Sequence, residues 1–509
     1  MQELYHLIKS LDANEKKYFR RFGLKDESKG KSNTETLFEI IDALDEFDEE
    51  KIINRLKRVK LDKQISHLKT YLYELLLDTL LWYNKERIKG FDTSYESAKI
   101  SLLEDRGLDE EALKLSVRLA KNTSNEGSFI EKWNALSRNI HYASNQFLSD
   151  KKNEFSELNN WVEQRGVLLA QMQRYHEYDA LLVQQLRVMR KAMQARSDED
   201  LKALNEIFNQ KIVQQKKLAD SRDSCFIFHT IRLHHFQIFN NWKDFFAEAK
   251  TLTEYLKKEG IEKFPMMRVL WAYSQLTQAC YYTQQWKELE KYLNELKVIA
   301  VNNHTETMAQ FTYYTQLAIT LFDFKRNEKQ LKELLHETVS HLKQFKNRLR
   351  PDVRLAITIT TISAFVEYGE YETAIDVSED FLTNYDSGIR MDALLMLYVY
   401  EFICHLEMGN MLYVNNTIQN VYRYFLRNQY KGEFESTLMH VFKKISEMQD
   451  YSQHKKEIQK LKEELDASGG NASNRQHLAL LPIVQSFLDA KLANQKIHVF
   501  AAAQKKKGE

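Results

Sequence analysis

The stretch 357–382 constrains the fold of this chain more than any other. Apolar residues recur at helical spacing on both sides of a turn at Gly369. The stripe before the turn contains Ile359, Ile362, Phe365 and Val366, and the stripe after it contains Tyr371, Ala374, Ile375, Phe381 and Leu382. Glycine permits a tight turn and alanine allows two helices to approach closely. The stretch therefore predicts a helical hairpin.

The same turn pattern recurs along most of the chain. Gly107 is followed five residues later by Ala112, as Gly369 is by Ala374. Equivalent turns are predicted near Asp150, Ser197, Asn241, Gln285, Asn327, Gly369, Gly409 and Asp450. A period of about 40–47 residues is typical of consecutive helical hairpins that each pack on their neighbours.

Composition supports an all-α chain. The 509 residues include only 14 Gly and 3 Pro, well below the usual shares of roughly 7% and 5%. Few segments can therefore be turn-rich strands or linkers. Trp242 and Trp286 follow successive turns, and we expect each to be an aromatic plug at a hairpin corner rather than a stacking site for a ligand.

Charge and cysteine usage indicate a cytoplasmic protein that does not enter a membrane. Lys plus Arg number 73 and Asp plus Glu number 72, so the summed charge does not attract nucleic acid or anionic lipid. Cys225, Cys280 and Cys404 are far apart in apolar stretches, where reduced, buried thiols are expected. The start of the chain lacks an apolar core of signal-peptide length.

The hairpin around Gly369 resembles a tetratricopeptide (TPR) unit. Gly369, Tyr371 and Ala374 match the Gly-x-Tyr-x-x-Ala pattern of that repeat. The period exceeds the usual 34 residues or so, which implies longer helices. The resemblance implies an all-α, TPR-like α-solenoid of long helical hairpins over residues 91–466. Residues 1–90 do not follow the repeat, and their apolar spacing predicts a small helical N-terminal module.

In a TPR-like fold, the first helix of each hairpin lines a concave groove. The candidate groove residues are Thr230, His234, Gln237, Trp271, Gln278, Tyr281, Tyr282, Tyr313, Gln316, Thr320 and Asp323. Amide and aromatic side chains of this kind suit the recognition of a peptide. The alternative is that the aromatic residues fill the core between long helices.

The N-terminal module carries a candidate basic patch. Its residues are Lys51, Arg55, Lys57, Arg58, Lys60, Lys63 and Lys69, and a second basic cluster upstream contains Lys16, Lys17, Arg20, Arg21 and Lys25. Such a face can contact phosphate. The intervening acidic run, which includes Asp42 and Asp48, offers internal partners instead, and we favour that interpretation.

The opening LIKSLDANEKKYFRRF, with the later HLKTYLYELLLDTLLWY, resembles the start of an uncharacterised family of TPR-like proteins from the Bacteroidota. This resemblance implies no activity. At the other end, we expect a flexible loop over residues 467–476, a capping helix over residues 477–495 and a disordered tail over residues 496–509.

No catalytic, cofactor or metal motif is recognisable. In HETVSH the second histidine, His341, follows His336 at i+5, about 140° round a helix, whereas zinc-binding helices use i+4. The sequence thus predicts a non-catalytic scaffold or adaptor that binds a peptide or helix in the groove. The alternative is a bacterial regulator with a nucleic-acid-binding N-terminal module and peptide-sensing repeats.

Overall fold

The fold was obtained as a computed structural model. It describes residues 1–24, 32–44, 47–86, 88, 91–122, 129–146, 155–192, 198–345, 349–383, 391–427, 432–448, 450–469 and 480–507. Over these ranges the chain is all-α and contains no β-strand, which confirms the expected fold class. Contacts divide the chain into two compact units, Met1–Ala203 with Asn209–Phe228, and Leu204–Phe208 with His229–Glu509.

The first unit begins with five α-helices that share one apolar core. They are α1 (Gln2–Ser10), α2 (Ala13–Tyr18), α3 (Asn33–Asp42), α4 (Glu49–Arg58) and α5 (Ile65–Tyr83), with a π-turn at Phe19–Gly23 and a 3-10 turn at Asp62–Gln64. The buried core extends from Leu4 to Leu76. A capping box begins α2, because the Asp12 and Glu15 side chains each accept the other residue's backbone N–H. The 1–90 boundary stays a prediction.

Longer helices follow. They are α6 (Phe91–Glu104), α7 (Asp109–Asn122), α8 (Phe129–Gln146), α9 (Phe155–Ala192), α10 (Asp198–Phe208), the single turn α11 (Lys211–Gln214), a 3-10 turn at Lys216–Leu218 and α12 (Arg222–Ile238). Helices α6 to α9 pack consecutively. Their shared core includes Ile100, Ala112, Leu136 and Leu168.

The second unit is a series of helices that each pack on the next. They are α13 (Trp242–Glu259), α14 (Met266–Tyr282), α15 (Trp286–Val298), α16 (His304–Phe324), α17 (Glu328–Gln344), α18 (Pro351–Glu367), α19 (Tyr371–Thr383), α20 (Met391–Met408), α21 (Met411–Arg427), α22 (Glu433–Glu447), α23 (Lys455–Ser468), α24 (Leu481–Leu492) and α25 (Ile497–Lys507), with a 3-10 turn at Ile261–Lys263. The first helices of successive hairpins also touch directly: α14 packs on α16, α16 on α18 and α18 on α20. They form a row.

The hairpin turns share one backbone geometry. Five successive turns of the second unit each contain one residue with positive φ, between 53° and 76°, at intervals of 40 to 44 residues: Asn240, Gln284, Arg326, Gly369 and Gly409. After each of them, the next N–H donates to the carbonyl five residues earlier, as Gln285 N–H does to Cys280 O at 2.8 Å. This is the Schellman helix end.

The turns predicted near Asn241, Gln285, Asn327, Gly369 and Gly409 are therefore confirmed to within one residue. Gly107 has the same left-handed geometry between α6 and α7. Asp450 lies between α22 and α23, whereas the turns predicted near Asp150 and Ser197 lie outside the described residues.

The C-terminal end differs from its prediction. Residues 497–507 form the helix α25, which packs on α18 and α24, so the expectation of a disordered 496–509 tail is wrong there. The physical reason is that Ile497 is buried and that the backbone of α25 has a hydrogen-bond partner in the fold. The expected capping helix over 477–495 corresponds to α24. Of the predicted 467–476 loop, Ala467 and Ser468 belong to α23, and 470–476 lie outside the described residues.

Candidate functional site

The eleven candidate groove residues all lie on the first helices α12, α14 and α16 of the second unit. Thr230 is buried, so it does not line a surface. Tyr282 and Gln316 are exposed. The others are half-buried: His234, Gln237, Trp271, Gln278, Tyr281, Tyr313, Thr320 and Asp323. Ten of the eleven are therefore at least partly accessible.

Side chains of α12 contact side chains of α14. The His234 ring meets the Trp271 indole edge-on, with ring centroids 6.0 Å apart and planes at 82°. One turn further on, Gln237 Nε2 donates to Gln278 Oε1 at 3.2 Å. An amide pair keeps further donor and acceptor capacity after one mutual hydrogen bond. This pair can therefore also bind a peptide backbone.

The same arrangement recurs between α16 and α18. Gln316 Nε2 donates to Thr360 Oγ1 at 3.3 Å, and Tyr368 OH donates to Asp323 Oδ1 at 3.3 Å. Thr360 and Tyr368 are not among the groove residues predicted from the sequence. A usable signal was present, because they follow Gln316 and Asp323 by 44 and 45 residues, which is one repeat period.

We call one surface of the first helices the first-helix strip. It consists of the ten accessible candidate groove residues together with Thr360 and Tyr368. Burial lowers the pKa of His234 to about 4, so its imidazole is neutral at pH 7. Burial also raises the pKa of Tyr313, which keeps the phenol protonated. Apart from Asp323, the strip therefore presents neutral donors, neutral acceptors and aromatic rings.

The two equivalent tryptophans occupy hairpin corners, as expected, but they are not fully buried. Trp242 stacks on Tyr282 with ring centroids 3.8 Å apart, and Trp286 stacks on Phe324 at 4.0 Å. Tyr282 and Phe324 close the first helix of the following hairpin, and both remain exposed. Each indole thus joins two hairpins through an aromatic stack at the surface.

The second helices carry a different surface. Ion pairs connect one second helix to the next. Lys257 Nζ of α13 lies 2.7 Å from Glu295 Oε2 of α15, and Lys332 Nζ of α17 lies 3.3 Å from Oε1 of Glu370, which directly precedes α19. A pocket of about 200 Å³ there is lined largely by Lys250, Glu254, Lys257, Glu288 and Lys291. Ligand pockets usually enclose about 300–1,000 Å³ and are mostly apolar. This pocket is therefore a poor candidate for a small-molecule site.

The basic patch is exposed, except that Lys69 is half-buried. Lys51 pairs with Asp48 at 3.0 Å, and in the upstream cluster Lys16 and Arg20 pair with Asp42 at 2.6 and 3.0 Å. These pairs are the internal pairing expected from the sequence. Among the side chains that the structure describes, five exposed cations of the patch form no ion pair: Arg55, Lys57, Arg58, Lys60 and Lys63.

Of the two histidines of HETVSH, His336 is exposed and His341 is half-buried, whereas the three cysteines are buried. The ring centroids of His336 and Phe365 are 6.1 Å apart, and those of His341 and Phe311 are 4.8 Å apart. Because Phe365 lies in α18 and Phe311 in α16, the two imidazoles point to different helices. Within the described ranges, no group of His, Cys, Asp and Glu has the arrangement of a metal site. Burial raises the pKa of Cys280 to about 12, which disfavours a reactive thiolate.

None of the helices in the described part of the chain combines the length and apolar character needed to span a bilayer. No protein-family model matches the sequence, and no curated protein does. The geometry of the first-helix strip and of the basic patch is therefore the basis for a functional proposal.

Proposed function

We propose that this chain is a non-catalytic, cytoplasmic interaction scaffold with TPR-like hairpins, which binds a peptide or helix on its first-helix strip. One observation carries the proposal. Side chains of α12 and α14, and of α16 and α18, make polar and aromatic contacts with each other while staying half-exposed. Three buried thiols fit a reducing compartment.

The chemistry of the strip favours an uncharged or weakly charged segment of polypeptide. Amides satisfy the backbone N–H and C=O groups of an extended chain, and aromatic rings supply contact area at a low entropy cost. Helices in contact lie about 8–10 Å apart. The row of α12, α14, α16 and α18 is therefore roughly 24–30 Å across. At roughly 3.4 Å per residue, an extended peptide of about 8 residues covers that length.

The test uses peptides selected by display against the purified full chain. Tyr313→Ala with Gln316→Ala should weaken the binding of the selected peptides at least tenfold, measured by fluorescence anisotropy. The matched control is Gln419→Ala with Tyr422→Ala, which removes the same residue types at the same spacing from the exposed surface of α21. We expect the control to change affinity less than twofold.

Two results would contradict the proposal. One is unchanged affinity in the folded Tyr313/Gln316 variant, and the other is an equal loss in both variants. Circular dichroism and the melting temperature establish that each variant folds.

The basic patch supports a second candidate, a regulator whose N-terminal module binds nucleic acid. The supporting observation is its five exposed cations without an ion pair among the described side chains. Binding to duplex DNA should then weaken steeply as salt rises, by about 0.9 in log K per log salt for each neutralised phosphate. Lys57→Gln with Arg58→Gln should reduce that slope, while Lys243→Gln with Lys287→Gln, two exposed lysines elsewhere, should leave it unchanged.

A further inference from the structure

One face of the long helix α9 is exposed from Val162 to Arg187. Its residues alternate at spacings of four and three: Val162, Gly166, Leu169, Gln173, His176, Ala180, Val183 and Arg187. The large apolar members are well exposed, with Val162 at 45%, Leu169 at 54% and Val183 at 41%. The first seven carry no carboxylate, lysine or arginine. We call this face the α9 seam.

Alternating spacings of four and three give an average period of 3.5, the heptad repeat of a coiled coil. The opposite face of α9 is buried at Leu168, Tyr178 and Leu181, and Leu168 belongs to the core that α6 to α9 share. Tyr178 also donates its OH to Ile212 O at 2.8 Å. The fold therefore uses one face of α9 and leaves its heptad face to solvent.

We propose that the α9 seam is an interface with a second copy of this chain, packed antiparallel to the first. Two copies of the seam are sterically complementary in this orientation. In antiparallel register, Gly166 faces the partner's Val183 and Leu169 faces the partner's Ala180. Every small residue then meets a large one. At the centre Gln173 faces the partner's His176, so the polar residues of the seam meet each other.

A parallel pairing is sterically and electrostatically worse. It would place Gly166 against the partner's Gly166 and Ala180 against the partner's Ala180, which leaves gaps in two layers. Unfilled volume of this kind costs contact energy because the lining atoms lose their partners. It would also place Arg187 against the partner's Arg187, two like charges in one layer.

The flanking positions are compatible with the antiparallel register. Glu163 would lie opposite the partner's Gln184, and Glu177 opposite the partner's Ala170. No carboxylate therefore faces another across these positions, and like charges in contact are what would oppose association. Gly166 itself has open space where a side chain would begin, with nothing within 4 Å of an added Cβ. A partner helix can approach closely there.

The size of the seam sets the expected affinity. From Val162 to Arg187 a helix extends about 38 Å, and helices pack about 10 Å apart, so the contact strip covers roughly 400 Å² on each chain. A standard stable interface buries about 800 Å² on each partner. We therefore expect a dimer that dissociates at micromolar concentration.

Sedimentation of the full chain between about 1 and 100 µM tests the interface. The expected result is a monomer that becomes a dimer as the concentration rises. Leu169→Glu should abolish the dimer without changing the melting temperature, because the side chain is exposed. Leu412→Glu, at a 71% exposed position on α21, is the matched control and should leave the dimer intact.

Disulfide trapping tests the orientation. The native cysteines are buried, so Leu169→Cys and Ala180→Cys report on the seam. In antiparallel register, the two variants should cross-link when mixed and not when oxidised separately. Cross-linking of each variant alone would overturn the orientation. A monomer at all concentrations, or a dimer that Leu169→Glu leaves unchanged, would overturn the interface.

Discussion

Two glutamates that lie six residues apart in α20 are buried in different environments. Glu401 accepts a hydrogen bond from Ser378 Oγ at 2.8 Å, and burial, with a smaller contribution from the charge of Glu379, raises its pKa to about 7. Glu407 accepts from Lys491 Nζ at 2.9 Å and from the Ile497 N–H at 3.1 Å. The Lys491 and Glu407 side chains are 5% and 0% exposed.

The difference shows two ways in which a fold tolerates a buried carboxyl group. With a neutral donor, burial favours the protonated form. With a cation and a backbone N–H, the carboxylate instead joins segments that are 84 residues apart in sequence. Burial lowers the pKa of Lys491, and the ammonium also lies 4.7 Å from the Tyr451 ring centroid. We infer that Glu407 holds α24 and α25 against α20.

The largest effect should come from breaking the buried ion pair. Glu407→Ala leaves Lys491 buried without its counter-ion, which should lower the free energy of unfolding by about 3–5 kcal/mol. Urea unfolding followed by circular dichroism measures the loss. The control is Glu407→Leu with Lys491→Met, which removes both charges and should recover most of the stability. Equal losses in the single and double variants would contradict this account.

The protonation of Glu401 should make the stability of the fold depend on pH. Its folded pKa of about 7 lies above the ordinary value of 4.5, so its contribution to stability is complete below pH 4.5 and is lost as the pH rises to about 7. Glu401→Gln imitates the protonated form. The free energy of unfolding of Glu401→Gln, minus that of the original chain, should rise between pH 4.5 and about pH 7, by about 3 kcal/mol at most. A difference that does not vary with pH would refute the assignment.

Gly369→Ala tests how closely α25 packs against the turn between α18 and α19. Gly369 has φ +75°, and an added Cβ would lie 3.0 Å from His498 Cγ in α25. Gly409 has φ +76° with nothing within 4 Å of its added Cβ, so Gly409→Ala reports the backbone strain alone. That strain is about 1–2 kcal/mol. We expect Gly369→Ala to cost about 1 kcal/mol more and to speed hydrogen exchange in α25, which Gly409→Ala should not do.

The smallest effect is expected from Tyr371→Phe. It removes one hydrogen bond between the Tyr371 OH and His498 Nδ1, 2.8 Å apart, and should cost about 1 kcal/mol. Thermal unfolding measures the change, with Tyr422→Phe at an exposed position as the control. A cost no larger than that of the control would show that this contact does not contribute to holding α25.

Local features of the fold can be predicted from the amino-acid sequence. The capping box of Asp12 and Glu15 and the turns at 240, 284, 326, 369 and 409 follow from short-range rules, since each involves residues close in sequence. All eleven candidate groove residues lie on first helices, because a turn fixes which helix precedes it. Individual exposure was less predictable: Thr230, one turn before His234, is buried.

The sequence by itself determined that this chain forms helices, where most hairpins turn and which helix is the first of each hairpin. Those properties depend on hydrogen bonds and apolar periodicity within a few residues. Only the tertiary structure decided that 497–507 is a helix, that Lys491 pairs with Glu407 and that the α9 seam faces solvent. The free energy of a buried charge or an exposed leucine depends on neighbours from distant parts of the chain, and no local pattern encodes them.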